Sequence, residues 1–191
     1  PRLPALERLL ARARRTEAPR DWRRFVLQRL GFALPDGELP LGATIAAAAG
    51  LDASRGTWFV AAPVPLLATL TDVRMDASGP QSPTPADAAA LATHLTTALG
   101  DRTFELHAAG STLLARFGDA LDVETSDPAP LAGRRIDVQL PRGRDGGRVR
   151  RRMTELQMLL HESPVAPMLG GANALWLRGG GRTREIGRAH V

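Results

Sequence analysis

Residues 148–162 carry the most regular helical pattern in the chain, and this pattern limits what the chain can fold into. Apolar side chains recur every three to four positions, at Val149, Met153, Leu156, Leu159 and Leu160. A helix with a single apolar stripe has to bury that stripe against another layer of structure. We therefore predict a helix over 148–162, with Val149, Met153, Leu156 and Leu160 buried.

Four further segments have the spacing or the end signals of helices: residues 3–13, 22–30, 41–49 and 85–99. Asp21 is a credible N-cap for the second of them, because its carboxylate can accept a hydrogen bond from the first turn. Thr84 is the corresponding N-cap candidate for the segment 85–99, and Pro85 suits the first position of that helix.

Strands are predicted where apolar residues run or alternate between turn residues. The predicted strands are residues 57–62, 67–75, 103–108, 111–117, 134–140 and 174–177. Pro63 and Pro65 are expected to end the first strand or to mark a sheet edge. Ala109 and Gly110 separate two of the strands and indicate a hairpin. Helices mixed with hairpins predict an α+β fold, with mostly antiparallel short strands in a single compact domain, rather than a doubly wound sheet.

All 25 basic residues are arginine, and the formal net charge is +5. A GC-rich genome favours arginine, alanine, glycine and proline codons together. Nucleic-acid binding is the alternative explanation, because guanidinium groups suit phosphates. The arginines are dispersed apart from 148–152, and at 4% the aromatic residues are too few for an obvious base-stacking surface. Composition therefore favours the genomic explanation over a nucleic-acid partner.

Other classes of protein are excluded by residues that the chain lacks. It has no cysteine, which excludes disulfide bonds, a thiolate nucleophile and sulfur-ligated metals. No apolar stretch reaches the roughly 20 residues that a membrane-spanning helix needs. The N-terminal arginines are not followed by an apolar signal core, so we expect a cytoplasmic protein without a membrane partner.

Both ends of the sequence are expected to be unnatural. The chain starts at Pro1 instead of methionine, which is typical of a metagenomic fragment or of a trimmed chain. Residues 185–191 read EIGRAHV and match a translated sequencing adapter, with a natural polar tail as the alternative. We therefore expect one domain over 1–184 and an artefactual tail over 185–191, whose His190 is not considered as a ligand.

The remaining histidines are His94, His107 and His161, and none has the spacing of a metal-binding pair. Nucleophile-elbow and phosphate-loop motifs are absent as well. We predict no catalytic residue, no metal site and no cofactor. His161 ends the helix predicted over 148–162, where the helix dipole favours a cation. Local capping and contact with a ligand or partner are its two interpretations.

Three C-terminal segments resemble one bacterial family: ELQMLLHE at 155–162, Pro164-Val165, and NALWLRGGG at 173–181. They resemble the RpfE-type regulatory proteins, named for regulation of pathogenicity factors and often described as phosphoglycerate-mutase-like. Members of that family carry E-x-Q-M-L-L-H-E-H-P-V-N and later P-V-N-S-L-W-L-W-G-G-G. The earlier segment WFVAAPV at 58–64 resembles the W-L-R-A-D-P-V of the family. The resemblance spans most of residues 1–184.

The same signature is similar to that of archaeal-type, cofactor-independent phosphoglycerate mutases, which carry A-N-x-x-L-x-R-G-x-G. The resemblance implies a non-catalytic regulatory protein on a mutase-derived scaffold, with a protein partner or a phosphate-bearing small molecule as its ligand. The alternative is a truncated part of a metal-dependent mutase or phosphohydrolase. Ser163 and Ala166 stand where the family has histidine and asparagine, so the signature has lost two polar groups.

The polar groups that remain predict the ligand site, if there is one: His161, Asn173, Arg178, Gly179, Gly180 and Gly181. The short chain after His161 can fold back to bring Asn173 and Arg178 near the helix end. A guanidinium fork, an amide and glycine N–H groups together suit a phosphate or a carboxylate. The alternative is that Asn173 holds a turn, Trp176 packs in the core and the glycines only permit the backbone to bend.

Overall fold

The computed structural model describes residues 7–8, 11–12, 22–29, 38–164 and 166–181. The chain divides into two units, Pro1–Asp36 and Gly37–Val191, which we describe separately. In the first unit, residues 7–8 and 11–12 are helical and exposed, and helix α1 spans Trp22–Arg29. The rest of the predicted helix 3–13, the proposed cap Asp21 and the adapter-like tail 185–191 lie outside the described residues. One domain over 1–184 stays a prediction.

The second unit combines helices with antiparallel strands. Its helices are α2 (Leu41–Ala48), α3 (Pro85–Leu99) and α4 (Gly146–Glu162), and its strands are β1 (Thr57–Val64), β2 (Leu66–Ala68), β3 (Val73–Met75), β4 (Phe104–Ala109), β5 (Thr112–Phe117) and β6 (Ala174–Gly181). Short 3-10 helices lie at Ala129–Leu131, Asp137–Gln139 and Ala166–Leu169. Four strands form an antiparallel sheet in the order β4-β5-β1-β6, and β2 pairs with β3. The predicted α+β fold is confirmed.

The larger core lies between one face of the sheet and the helices α3 and α4. Alternate strand residues point to this face, as the twofold period of a strand requires. The sheet contributes Phe59, Ala61, Phe104, Leu106, Leu113, Ala115, Phe117, Leu175 and Leu177, and the helices contribute Ala88, Leu91, Ala92, Leu95, Val149, Leu156 and Leu160. Burial of Val149, Leu156 and Leu160 is as predicted, whereas Met153 is half-buried at the side of this core.

The opposite face of the sheet carries two smaller apolar clusters. Trp58, Val60 and Leu114 pack against Ala43 and Ala46 of α2. The second cluster joins the far ends of β1 and β6 to the β2–β3 hairpin and the 131–136 segment: Ala62, Val64, Met75, Leu131, Ile136, Ala174 and Trp176. Because both faces of the sheet are covered, every residue of β1 is buried.

The helix ends follow the sequence signals where these are local. Thr84 Oγ1 accepts a hydrogen bond from the Asp87 N–H at 3.2 Å, and Gly100 closes α3 in the left-handed conformation with φ +59°. The hairpin predicted around Ala109-Gly110 is present, with Ala109 opposite Thr112. Gly110 has φ +60° and sits at the first of the two turn positions, as a type II′ hairpin turn requires.

Two strand predictions are wrong. Residues 67–75 form two short strands instead of one, because the Thr69 N–H bonds to the Asp72 C=O at 2.9 Å and closes a turn between them. Residues 134–140 form no strand, and Asp137–Gln139 is a 3-10 helix. Only isolated bonds connect this segment to β3, such as that from the Ile136 N–H to the Val73 C=O at 3.1 Å.

The strand β1 continues through Pro63 and ends at Val64, directly before Pro65. The Pro63 C=O accepts a hydrogen bond from the Gln81 N–H at 2.8 Å. The N–H and C=O of one strand residue point to the same side of the strand. Because the Pro63 C=O points to Gln81 and away from β6, the missing N–H of Pro63 removes no hydrogen bond between β1 and β6. No helix in the described part of the chain is long and apolar enough to cross a membrane.

Candidate functional site

The glycine-rich end of β6 lies against a carboxylate of the same chain. Glu38 accepts hydrogen bonds from the Gly179 N–H at 2.9 Å, the Thr125 N–H at 3.0 Å and the Thr125 hydroxyl at 2.7 Å. The Gly179 N–H also approaches Thr125 Oγ1, at 3.0 Å. The Gly179 N–H is one of the donors that we predicted for an external phosphate or carboxylate. We call Glu38, Thr125, Arg178, Gly179 and the neighbouring Asp127 the Glu38 cluster.

Arg178 is the cation of the Glu38 cluster. It lies opposite Val60 of β1, and its side chain is only 19% exposed. One guanidinium nitrogen, Nη1, lies 3.7 Å from Asp127 Oδ2, and Nε is buried without a hydrogen-bond partner. The cluster contains two carboxylates and one guanidinium, so its formal charge is −1. Its own residues thus already neutralise the charge that would attract an anion.

The three glycines allow neighbouring groups to approach the backbone of β6 closely. Gly179 has φ +62°, and a Cβ there would lie 2.7 Å from the Leu41 Cβ. A Cβ on Gly180 would lie 2.5 Å from the Phe59 ring, and one on Gly181 would lie 2.5 Å from Pro40 Cβ. The glycines belong to the strand itself, which extends to Gly181 instead of ending at Leu177. They serve packing at this edge and do not form an open phosphate-binding loop.

Asn173 lies at the other end of β6. Its side-chain amide accepts from the Leu66 N–H at 2.8 Å and donates to the Leu66 C=O at 2.9 Å. The strand residues from Ala174 to Arg178 alone span roughly 13 Å at 3.3 Å per residue. The strand therefore holds Asn173 and Arg178 apart, although we predicted that both would approach the end of the helix at His161. The ligand-binding role of the six predicted residues stays a prediction.

His161 is exposed in the last turn of α4. None of the described contacts joins it to Asn173, to Arg178 or to the glycines, which belong to the following strand. The structure places His161 at the C-terminus of a helix, where the helix dipole favours a positive charge. The ligand contact stays a prediction.

Two of the arginines in 148–152 attach α4 to the sheet. Arg148 pairs with Asp119 at 2.7 Å and lies over the Phe117 ring at 5.7 Å. Arg152 pairs with Asp101 and with Glu155, and its guanidinium lies 4.7 Å above the Phe104 ring. These two guanidinium groups are engaged within the fold, and this use of arginine does not require a nucleic-acid partner.

Sequence reasoning missed Glu38 and Thr125, the two residues that organise this end of β6. Glu38 is 87 residues from Thr125 and 141 residues from Gly179 in the chain. Neither residue belongs to the C-terminal signature, and no local spacing relates them. A mutase of the class that the signature resembles would hold two metal ions. The described residues contain no group of three or more His, Asp or Glu that could hold one.

Comparison with known proteins adds no relative. No protein-family model matches the chain, and neither the curated proteins nor the solved structures include a significant match.

Proposed function

We propose that this chain is a non-catalytic regulatory protein of the RpfE type, on a mutase-derived scaffold that acts by binding a protein partner or a small anion. The observation that carries the proposal is that polar groups of the C-terminal signature hydrogen-bond to other segments of the same fold. Asn173 bonds to Leu66, the Trp176 Nε1–H donates to the Ser126 C=O at 2.9 Å, and the Gly179 N–H donates to Glu38. These bonds use the polar groups of the signature to hold distant parts of the fold together, which supports a scaffold role.

The Glu38 cluster supports the anion part of the proposal. Two backbone N–H groups and a hydroxyl converge on one carboxylate, and such donors suit a carboxylate or phosphate group from any source. An external anion would have to displace Glu38, which is tethered to the same chain and so has a high effective concentration. Binding at this place would therefore release residue 38 from β6.

The experiment that tests the regulatory role is an assay for catalysis. Phosphoglycerate mutase and phosphatase activities are measured with added Mn²⁺, Mg²⁺ or Zn²⁺, beside a buffer blank and a chelator-treated sample. We expect no turnover above the blank with any of the ions. Turnover that the chelator abolishes would contradict the proposal and would favour a truncated metal-dependent mutase or phosphohydrolase.

A further inference from the structure

An open surface cavity of about 400 Å³ lies between α3 and β4, away from the C-terminal signature and the Glu38 cluster, and Ala89, Thr93 and Thr97 in its lining are exposed. This volume is in the range of pockets that hold small molecules. Its walls are formed by small side chains and hydroxyls of α3 and by the edge strand β4, with Ala89, Ala92, Thr93, Thr97, Leu106 and Ala108 among them. The alanines leave the space open, because larger side chains at their positions would fill it.

The edge of β4 presents one free peptide group to this cavity. The Leu106 N–H and C=O both bond to the Thr96 hydroxyl, at 2.9 and 3.4 Å, and therefore point away from β5. Alternate residues of a strand point their polar groups to opposite sides, so those of Ala108 point the same way as those of Leu106. None of the described residues hydrogen-bonds to the Ala108 N–H or C=O on this side. One donor and one acceptor are thus left for a ligand.

The molecule itself shows which chemical group fits a donor and an acceptor on one edge residue. At Leu66, the carboxamide of Asn173 satisfies both backbone groups at 2.8 and 2.9 Å. A carboxamide or a lactam places its C=O and N–H at the same spacing. The Thr96 hydroxyl already covers the neighbouring Leu106, so the edge has no room for a long added strand. A small molecule fits better than an extended peptide.

The charge of the lining favours a neutral ligand. Alanine, threonine and leucine side chains carry no charge, and the one titratable lining residue, His107, has its Nε2 3.2 Å from Glu105 Oε2. A carboxylate or phosphate in this cavity would gain no cation from the side chains of α3, and it would face the Ala108 C=O. The alanine and leucine side chains would cover an apolar part of the ligand.

We propose that the cavity between α3 and β4 binds a small neutral molecule with a carboxamide or lactam group, which pairs with the N–H and C=O of Ala108. The site is separate from the Glu38 cluster and does not depend on the proposed regulatory role. Either proposal can fail while the other holds.

The test is a titration of the ¹⁵N-labelled protein with benzamide and with 2-pyrrolidinone, followed through the amide chemical shifts. Benzoate and inorganic phosphate are the charged comparisons. We expect saturable shifts centred on Ala108 and Thr97, with dissociation constants in about the millimolar range for either amide and at least about tenfold weaker binding of benzoate. Absence of a saturable shift at Ala108 up to about 50 mM amide, or an equal response to benzoate, would overturn the proposal.

Two matched variants locate the site. Ala89→Leu fills the cavity from an exposed position of α3, and Ala86→Leu adds the same side chain at an exposed position of α3 outside the lining. Binding should be lost in the first variant and kept in the second. Binding that persists in Ala89→Leu would overturn this location. If Ala89→Leu does not fold, Thr97→Leu fills the cavity from the next turns of α3 and is judged by the same criterion.

Discussion

The side-chain amide of Asn173 hydrogen-bonds to both backbone groups of Leu66, which lies 107 residues earlier in the chain. The amide takes the place that the peptide group of a neighbouring strand would have. It thereby ties the start of β6 to β2, although the two strands belong to different sheets.

Asn173→Ala removes both of these hydrogen bonds, and we expect a loss of about 1–2 kcal/mol in the free energy of unfolding. Asn173→Asp should cost more than this at neutral pH, because its carboxylate lacks the donor and faces the Leu66 C=O. Urea denaturation of the two variants and the wild type measures both effects. An Asn173→Ala variant as stable as the wild type would show that the pair contributes nothing.

Leu156→Ala tests the packing of α4 on the sheet. Leu156 is fully buried in the larger core, so its truncation should lower the free energy of unfolding by about 2–5 kcal/mol. Met158→Ala on the same helix is the control, since Met158 is 64% exposed and its truncation should cost less than about 0.5 kcal/mol. Equal urea midpoints for the two variants would contradict the packing described for α4.

Glu38→Ala tests the occupied anion site at the end of β6. The variant leaves the Thr125 and Gly179 donors without their carboxylate, and we expect a loss of about 1–3 kcal/mol in stability. Phosphate or 3-phosphoglycerate should then change the tryptophan fluorescence of the variant at millimolar concentration, because Trp176 bonds to Ser126 beside Thr125. The wild type should respond only at higher concentration, because the anion has to displace the tethered Glu38 carboxylate.

Glu124→Ala is the matched control for that titration, since Glu124 is an exposed carboxylate directly before Thr125 in the same loop. It should behave as the wild type does. If Glu38→Ala responds no more than Glu124→Ala, the Glu38 cluster is a structural contact and no anion site.

Asp101 should make the stability of the protein depend on pH in the acid range. Backbone and side-chain hydrogen bonds from Thr103, followed by Arg152, hold the pKa of Asp101 below its ordinary value. A lowered carboxyl pKa in the folded state stabilises the fold above the ordinary value of about 3.9, and this contribution is lost as the pH falls through the lowered pKa. Between about pH 6 and about pH 3, the urea midpoint of the wild type should therefore fall further than that of Asp101→Asn. Equal falls would contradict the role of Asp101.

The sequence by itself determined the elements whose stabilising groups are neighbours in the chain. Thr84 caps α3 three residues from its donor at Asp87, and Gly110 supplies the turn between β4 and β5. The apolar spacing of α4 likewise selects the buried side of that helix before any partner is known. Local patterns failed for residues 134–140, because a strand exists only where a neighbouring backbone pairs with it along its length.

Only the tertiary structure decided what the polar residues of the C-terminal signature do. Asn173 and Arg178 are close in sequence, but the extended strand between them separates their side chains, and each takes a partner from a distant part of the chain. The carboxylate that reaches Gly179 comes from Glu38, 141 residues away. Each of these residues finds its partner where the sheet meets the segments that cover it. The place where they meet depends on the packing of the whole unit and not on the spacing of residues in the motif.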